Sequence, residues 1–117
     1  MELLNEAEIE MLKKTACKYP ILYQHIPFLR VKRREFTGVG MYIYFDYTEI
    51  NDSLSDFEPK NGVFGDDCIL LIPNLRYGLC YVIGVSDGKI TLLELVTFGH
   101  ETEKWDGSIS KFSFNCF

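Results

Sequence analysis

The chain has 117 residues and a formal net charge of −5, and 47% of its residues are hydrophobic. This length fits one domain, residues 1–117, whose core needs neither metals nor disulfides. The acidic balance argues against a nucleic-acid partner, which would require clusters of Lys and Arg. The longest apolar stretches are too short to cross a membrane, and the N-terminus lacks a signal-peptide pattern, so we expect a cytoplasmic protein.

The N-terminal segment predicts a helix over residues 5–18. Asn5 and Glu8 have the spacing of a capping box, and basic residues gather at the other end of the segment. Apolar residues recur at helical spacing along one side: Ile9, Leu12 and Ala16. Pro20 ends the helix, and the apolar stripe requires a surface to pack against.

The remainder of the chain predicts β-strands, because it is rich in β-branched and aromatic residues. The runs are residues 28–36, 40–47, 68–73, 79–98 and 111–117. Within 79–98, Asp87-Gly88 is the signature of a two-residue hairpin turn, and pairing Ser86 with Lys89 places Tyr81 opposite Glu94. We therefore predict an α+β fold, an N-terminal helix packed on an antiparallel sheet of about five or six strands.

A Gly-x-Gly within "RREFTGVGMYIYFDY" (33–47) raises the question of a phosphate-binding loop. A dinucleotide-binding loop needs a third glycine and a helix after it. Gly38-Val39-Gly40 lacks that glycine and is followed by a predicted strand. We interpret it as a bend between two antiparallel strands.

No residue pattern predicts a metal site, a cofactor or an enzymatic activity. His25 and His100 have no neighbouring set of ligands or nucleophiles. The cysteines are widely spaced and form no C-x-x-C pair, so we interpret them as reduced and mostly buried thiols. They are Cys17, Cys68, Cys80 and Cys116.

The middle of the chain is strongly acidic, since residues 46–67 contain seven acidic residues against Lys60 alone. The acids are Asp46, Glu49, Asp52, Asp56, Glu58, Asp66 and Asp67. Turn-forming residues predict a long loop over 48–67, and long loops in compact domains are often functional. A run of charges is usually a solvated surface, but it also favours a basic partner.

Glu94 provides a second candidate site. It shares one face of its strand with Leu92 and Val96, and a buried carboxylate needs a partner. A structural pair with Arg33, Arg34 or the Tyr81 hydroxyl is the commoner arrangement. The alternative is a small cytosolic ligand-binding domain with a pocket lined by Arg34, Tyr81 and Glu94.

Two segments together resemble a group of small bacterial proteins. Residues 33–47 match an Arg-x-x-Thr-Gly-x-Gly stretch of that group, and "GLCYVIGVSDGKITLLELVTFGHETEKW" (78–105) matches a later hairpin. The matching positions are Arg34, Thr37, Gly38, Gly40, Asp87, Gly88, Leu93, Glu94, Gly99, Glu101 and Trp105. The group is similar to, or includes, immunity proteins of contact-dependent inhibition and related polymorphic toxin systems.

The resemblance implies a cytoplasmic immunity protein that binds one cognate toxin domain, often a nuclease, without catalysing a reaction. A nuclease has a basic active-site cleft, which clustered acids would complement. The seven acids of residues 46–67 are then the expected toxin contacts. Phe57 or Phe64 is the expected apolar anchor, unless both fold inward. The apolar strands leave open a homodimer through a sheet edge.

Overall fold

The computed structural model describes residues 1–49, 53–98 and 105–117. Its N-terminal part is helical, with α1 (Glu6–Lys18), α2 (Leu22–His25) and a 3-10 turn (Ile26–Phe28). In the described part of the chain, seven strands follow. They are β1 (Leu29–Phe36), β2 (Gly40–Tyr47), β3 (Gly62–Gly65), β4 (Cys68–Ile72), β5 (Leu75–Ser86), β6 (Lys89–Thr97) and β7 (Ser113–Cys116).

Helix α1 is capped as its sequence predicts. The Asn5 side chain accepts a hydrogen bond from the backbone N–H of Glu8 at 2.8 Å, and the Asn5 N–H donates to the Glu8 carboxylate at 2.8 Å. This reciprocal pair satisfies two N–H groups at the start of the helix. On the side facing the sheet, Met11, Leu12 and Ala16 are buried in the core.

The strands form one antiparallel sheet in the order β1-β2-β6-β5-β4-β7, with β3 also paired to β5. The predicted α+β fold, a helix packed on an antiparallel sheet, is confirmed. Strand β3 adds to the predicted strand count, because it lies inside the segment predicted to be a loop. It pairs with residues 82–85 of β5, beyond the part of β5 that pairs with β4.

The two faces of the sheet have different environments. We call the face covered by α1 the inner face and the opposite face the outer face. On β6, the inner side chains Ile90, Leu93 and Leu95 are buried. The alternate residues Leu92 and Glu94 are only half-buried on the outer face. The period of two along a strand separates the core from the surface in this way.

A β-bulge corrects the predicted register of the β5–β6 hairpin. Ser86 pairs with Lys89 as expected, but the register shifts beside Val85, where Thr91 is the extra residue. Tyr81 therefore lies opposite Leu95, and Glu94 lies opposite Val82. Bulges of this kind insert one residue into one strand and increase its local twist.

The predicted bend between β1 and β2 is confirmed. Gly38 has a φ of 90°, a value that side chains with a Cβ rarely adopt. The turn closes with a hydrogen bond from the Thr37 N–H to the Gly40 carbonyl at 2.9 Å. A Cβ at Gly40 would overlap the carbonyl oxygen of Leu95 on the neighbouring strand, so the second glycine permits close approach of β2 and β6.

The cysteine prediction was wrong. Cys68 and Cys116 form a disulfide, because β4 and β7 pair in a register that places them directly opposite each other. The other two are free and exposed thiols. Cys17 lies on the solvent side of α1, and Cys80 lies on the outer face between the buried Leu79 and Tyr81.

Candidate partner-binding surface

The second half of the predicted acidic loop is tied to the turn of the β5–β6 hairpin. The Phe57 N–H donates to the Gly88 carbonyl at 2.9 Å, and the Gly88 N–H donates to the Lys60 carbonyl at 2.9 Å. The Asn61 side chain accepts from the Asp87 N–H at 3.0 Å. Residues 57–61 are therefore held against residues 87–88 by two backbone hydrogen bonds and one side-chain hydrogen bond.

Asp56 is a structural member of this contact. Its carboxylate lies 2.8 Å from the Lys89 ammonium and 3.8 Å from that of Lys60. The hydrogen bond from Lys89 is the main cause that lowers the pKa of Asp56 below its usual value. Asp56 thus lies between two lysines at the hairpin turn and offsets one of their two positive charges, so its carboxylate is engaged within the protein.

The two phenylalanines of the segment turn toward the protein interior. Phe57 is fully buried, and its ring centroid lies 5.4 Å from that of Phe64 and 5.6 Å from that of Tyr19. Phe64 is half-buried in the same cluster. Phe57 is therefore a core residue and is not available as an interface anchor, because the loop folds back over the inner side of β3.

Asp66 is also engaged in hydrogen bonds within the protein. Its carboxylate accepts hydrogen bonds from the Thr15 hydroxyl on α1 at 3.0 Å and from the Tyr81 hydroxyl at 2.9 Å. It further accepts from the Cys68 N–H at 2.8 Å. Burial, followed by the bond to Asp66, raises the pKa of Tyr81 well above its usual value. Asp66 joins α1, β4 and β5 and does not present a free carboxylate to a partner.

The remaining acids of the segment are exposed in two places. Asp46, Glu49 and Glu58 lie at the end of the sheet that carries the β5–β6 turn, where Asp87 is exposed as well. Asp67 lies apart from them, beside the C-terminal strand, since its carbonyl accepts from the Phe117 N–H. Asp52 lies outside the described residues. We call Asp46, Glu49, Glu58 and Asp87 the acidic end.

The buried His25 joins the acidic segment to the sheet through hydrogen bonds. His25 is fully buried, and its Nε2 donates to the Ser55 carbonyl at 2.8 Å, since a carbonyl only accepts. In the neutral ring, Nδ1 accepts from the Tyr47 hydroxyl at 2.8 Å, and that hydroxyl accepts from the Ile90 N–H at 2.8 Å. Burial is the main cause that lowers the pKa of His25 and raises that of Tyr47 to about 12.

The three residues of the candidate ligand pocket do not converge. Arg34 lies beside α1 and binds the Glu8 carboxylate through Nε at 2.8 Å and through a terminal nitrogen at 2.9 Å. Tyr81 is bound to Asp66 on the inner face. Glu94 lies on the outer face, opposite Tyr42 of β2. The bulges at Thr91 and between Val31 and Arg33 set these orientations.

A cluster on the outer face was not among the predicted site residues, because the alternating tyrosines of β2 were interpreted as ordinary sheet packing. The Arg33 guanidinium lies 4.1 Å from the centroid of the Tyr44 ring and forms an ion pair with Glu35 at 3.1 Å. The Tyr42 and Tyr44 rings lie 6.1 Å apart, and the charge of Glu94 is the main cause that raises the pKa of Tyr42. The spacing of Tyr42, Tyr44 and Asp46 along β2 was the available signal.

The residues that carry the family resemblance are mostly turn and core positions. Asp87 and Gly88 have φ values of 51° and 77° at the hairpin turn. Leu93 is fully buried, and Trp105 is 4% exposed with its indole N–H donating to the Ser108 carbonyl at 2.9 Å. Gly99 and Glu101 lie outside the described residues. The matching residues therefore report mainly on how the hairpin folds.

No protein-family model, no curated protein sequence and no solved structure matches this chain. Among the helices of the described residues, none combines the length and the apolar character needed to cross a bilayer.

Proposed function

We propose that this protein is a cytoplasmic immunity protein that binds a cognate toxin domain and neutralises it by stoichiometric occlusion, without catalysing a reaction. The observation that carries the proposal is the acidic end, where Asp46, Glu49, Glu58 and Asp87 are all exposed at the end of the sheet that carries the β5–β6 turn. The resemblance of residues 33–47 and 78–105 to immunity proteins supplies the class of partner.

The charges at this end favour a basic partner. Lys60 and Lys89, the lysines closest to the turn, both lie within 4 Å of Asp56. Asp56 offsets one of these two positive charges. The four exposed carboxylates outnumber the charge that remains and that of Arg30, which lies opposite Asp46 on β1. Complementary charge accelerates encounter with a basic cleft such as that of a nuclease and disfavours acidic competitors.

The rigidity of the acidic end also favours binding. Backbone hydrogen bonds join Phe57 and Lys60 to Gly88 of the turn, and the buried Phe57 ring fixes the segment to the core. A surface that is ordered before binding loses less conformational entropy when the partner docks. Occlusion of an active site by a preorganised surface is consistent with a stoichiometric inhibitor.

The test is co-expression of the tagged protein with the C-terminal domain of the protein encoded immediately upstream. We expect a complex that survives purification at low salt and whose association slows at high salt, because screening weakens the long-range attraction. The double substitution Asp46→Asn/Glu58→Gln should slow association by about tenfold.

The matched control is Glu6→Gln/Glu10→Gln, which removes the same charge from α1, where Glu6 is exposed and Glu10 is half-exposed beside Lys13. Asp67→Asn, tested alone, shows whether the C-terminal side belongs to the interface. Equal slowing by the control pair would contradict the acidic end as the contact surface. Absence of a complex at either salt concentration would contradict the proposed function.

A further inference from the structure

Three of the four cysteines line one cleft between α1 and the C-terminal strand. The cleft has a volume of about 400 Å³ and is lined by Lys14, Cys17, Lys18, Asp66, Asp67, Cys68, Cys116 and Phe117. It therefore contains a disulfide and a free, exposed thiol on the same surface. The fourth cysteine, Cys80, lies on the outer face of the sheet.

We propose that this cleft is a thiol–disulfide exchange site in which Cys17 attacks the Cys68–Cys116 bond. The Cys17 thiolate forms a new bond to Sγ of Cys68, the Cys68–Cys116 bond breaks, and Cys116 leaves as a thiolate that takes up a proton from water. One disulfide is exchanged for another, so the step requires no external oxidant or reductant.

Contacts around Asp66 place the Cys68 end of the disulfide close to α1. Its carboxylate accepts from the Thr15 hydroxyl and from the Cys68 N–H, so α1 and the start of β4 are joined through a single side chain. Cys17 is two residues beyond Thr15 and lies near the end of α1. The first residues of β4 are thus held beside the helix that carries the nucleophile.

Cys116 is suited to be the leaving group. It is exposed on β7, a four-residue strand at one edge of the sheet that pairs with β4. Lys14 and Lys18 line the same cleft and give it a positive charge, with their ammonium groups over the rings of Phe114 and Tyr19. After exchange, no disulfide joins β7 to β4, and backbone pairing alone holds the two strands together.

An exchangeable disulfide is consistent with the proposed cellular location. Disulfides persist in oxidising compartments, whereas those in a reducing cytosol are typically transient or redox-sensing. The inference rests on the three sulfurs in one cleft and is independent of toxin binding.

The first test maps disulfides in the full chain. The oxidised protein is incubated without oxygen or added thiol at about pH 8, near the free thiol pKa, then acid-quenched, alkylated and digested for mass spectrometry. We expect a Cys17–Cys68 peptide together with newly alkylated Cys116. Both products should be lost in Cys17→Ser and retained in Cys80→Ser, the matched control for the second free thiol. Release of Cys116 in Cys17→Ser would overturn the proposal.

A second variant tests whether the Cys17 and Cys68 sulfurs can meet, whatever the position of the exchange equilibrium. In Cys116→Ser, Cys17 and Cys68 are both thiols, and a low-molecular-weight disulfide such as oxidised glutathione is added as the oxidant. We expect a Cys17–Cys68 bond whose rate of formation is independent of protein concentration. If each cysteine instead stops at a mixed disulfide with glutathione, the two sulfurs do not meet and the proposal is wrong.

Discussion

Residues of the same type have different roles on the two faces of the sheet. Neighbouring arginines on β1 show this directly, because Arg34 binds Glu8 on the inner side and Arg33 binds Glu35 on the outer side. The Glu8 side chain is 2% exposed, whereas that of Glu35 is 48% exposed. Burial therefore decides which of two similar ion pairs stabilises the fold, and residue type alone does not.

The largest expected difference between the faces concerns adjacent leucines of β6. Leu93→Ala removes a fully buried side chain and should lower the free energy of unfolding by about 2–5 kcal/mol. Leu92→Ala, on the half-exposed outer face, should cost about 1 kcal/mol or less. Chemical denaturation of both variants measures the difference. Equal losses would mean that a partner or a second copy buries the outer face.

The next largest effect concerns the two ion pairs of β1. Glu8→Gln weakens a buried bidentate contact and leaves Arg34 without its main counter-charge, so we expect a loss of about 2–4 kcal/mol. Glu35→Gln should change the free energy of unfolding by about 0–1 kcal/mol, because both partners are solvated. Urea unfolding at low and high salt distinguishes the two variants. If salt changes the stability lost in Glu8→Gln, the Arg34–Glu8 ion pair is not buried from solvent.

A smaller effect should appear as a pH dependence on the inner side. The pKa of His25 is lowered in the folded protein from its usual 6.5, so the unfolded chain binds the proton first as the solution is acidified. Stability should therefore fall as pH drops below 6.5, level off once pH passes the folded pKa, and be unaffected by His25 above 6.5. Thermal or urea unfolding between about pH 8 and 5 measures this.

His25→Asn provides the control for that pH profile. It removes the titrating ring beside Tyr47, and the slope of stability against pH in this range should flatten. The nearby Asp56 titrates below its usual value and so contributes only in more acidic solution. An unchanged slope in His25→Asn would assign the pH dependence to another group.

The smallest effect is expected at the outer-face tyrosines. The charge of Glu94 is the main cause of the raised pKa of Tyr42, so Glu94→Gln should return that pKa toward 10.0 without measurable unfolding. NMR titration of labelled tyrosines detects the shift. Glu35→Gln should shift Tyr42 less, because Glu35 contributes the least of the causes.

Local sequence signals predicted much of the fold. The capping box at Asn5 and Glu8 and the turn at Asp87-Gly88 occur as predicted. Strand β2 has its predicted bounds, Gly40–Tyr47. These signals succeed because each depends on contacts within a few residues of chain.

The candidate site was predicted less well. The acidic segment was recognised, but Asp56 and Asp66 are engaged within the protein and Phe57 is buried. Their partners lie on α1, β5 and the hairpin turn, far away in sequence. No local pattern distinguishes a carboxylate that will meet Tyr81 from one that will remain in water.

The sequence by itself determined the helix, the bend, the hairpin turn and the acidic character of residues 46–67, since composition and short-range backbone geometry specify them. Only the tertiary structure decided the face on which Glu94 lies, the Cys68–Cys116 disulfide and the set of acids left exposed. Those outcomes depend on β-bulges and strand register, which arise when segments distant in sequence pack against one another.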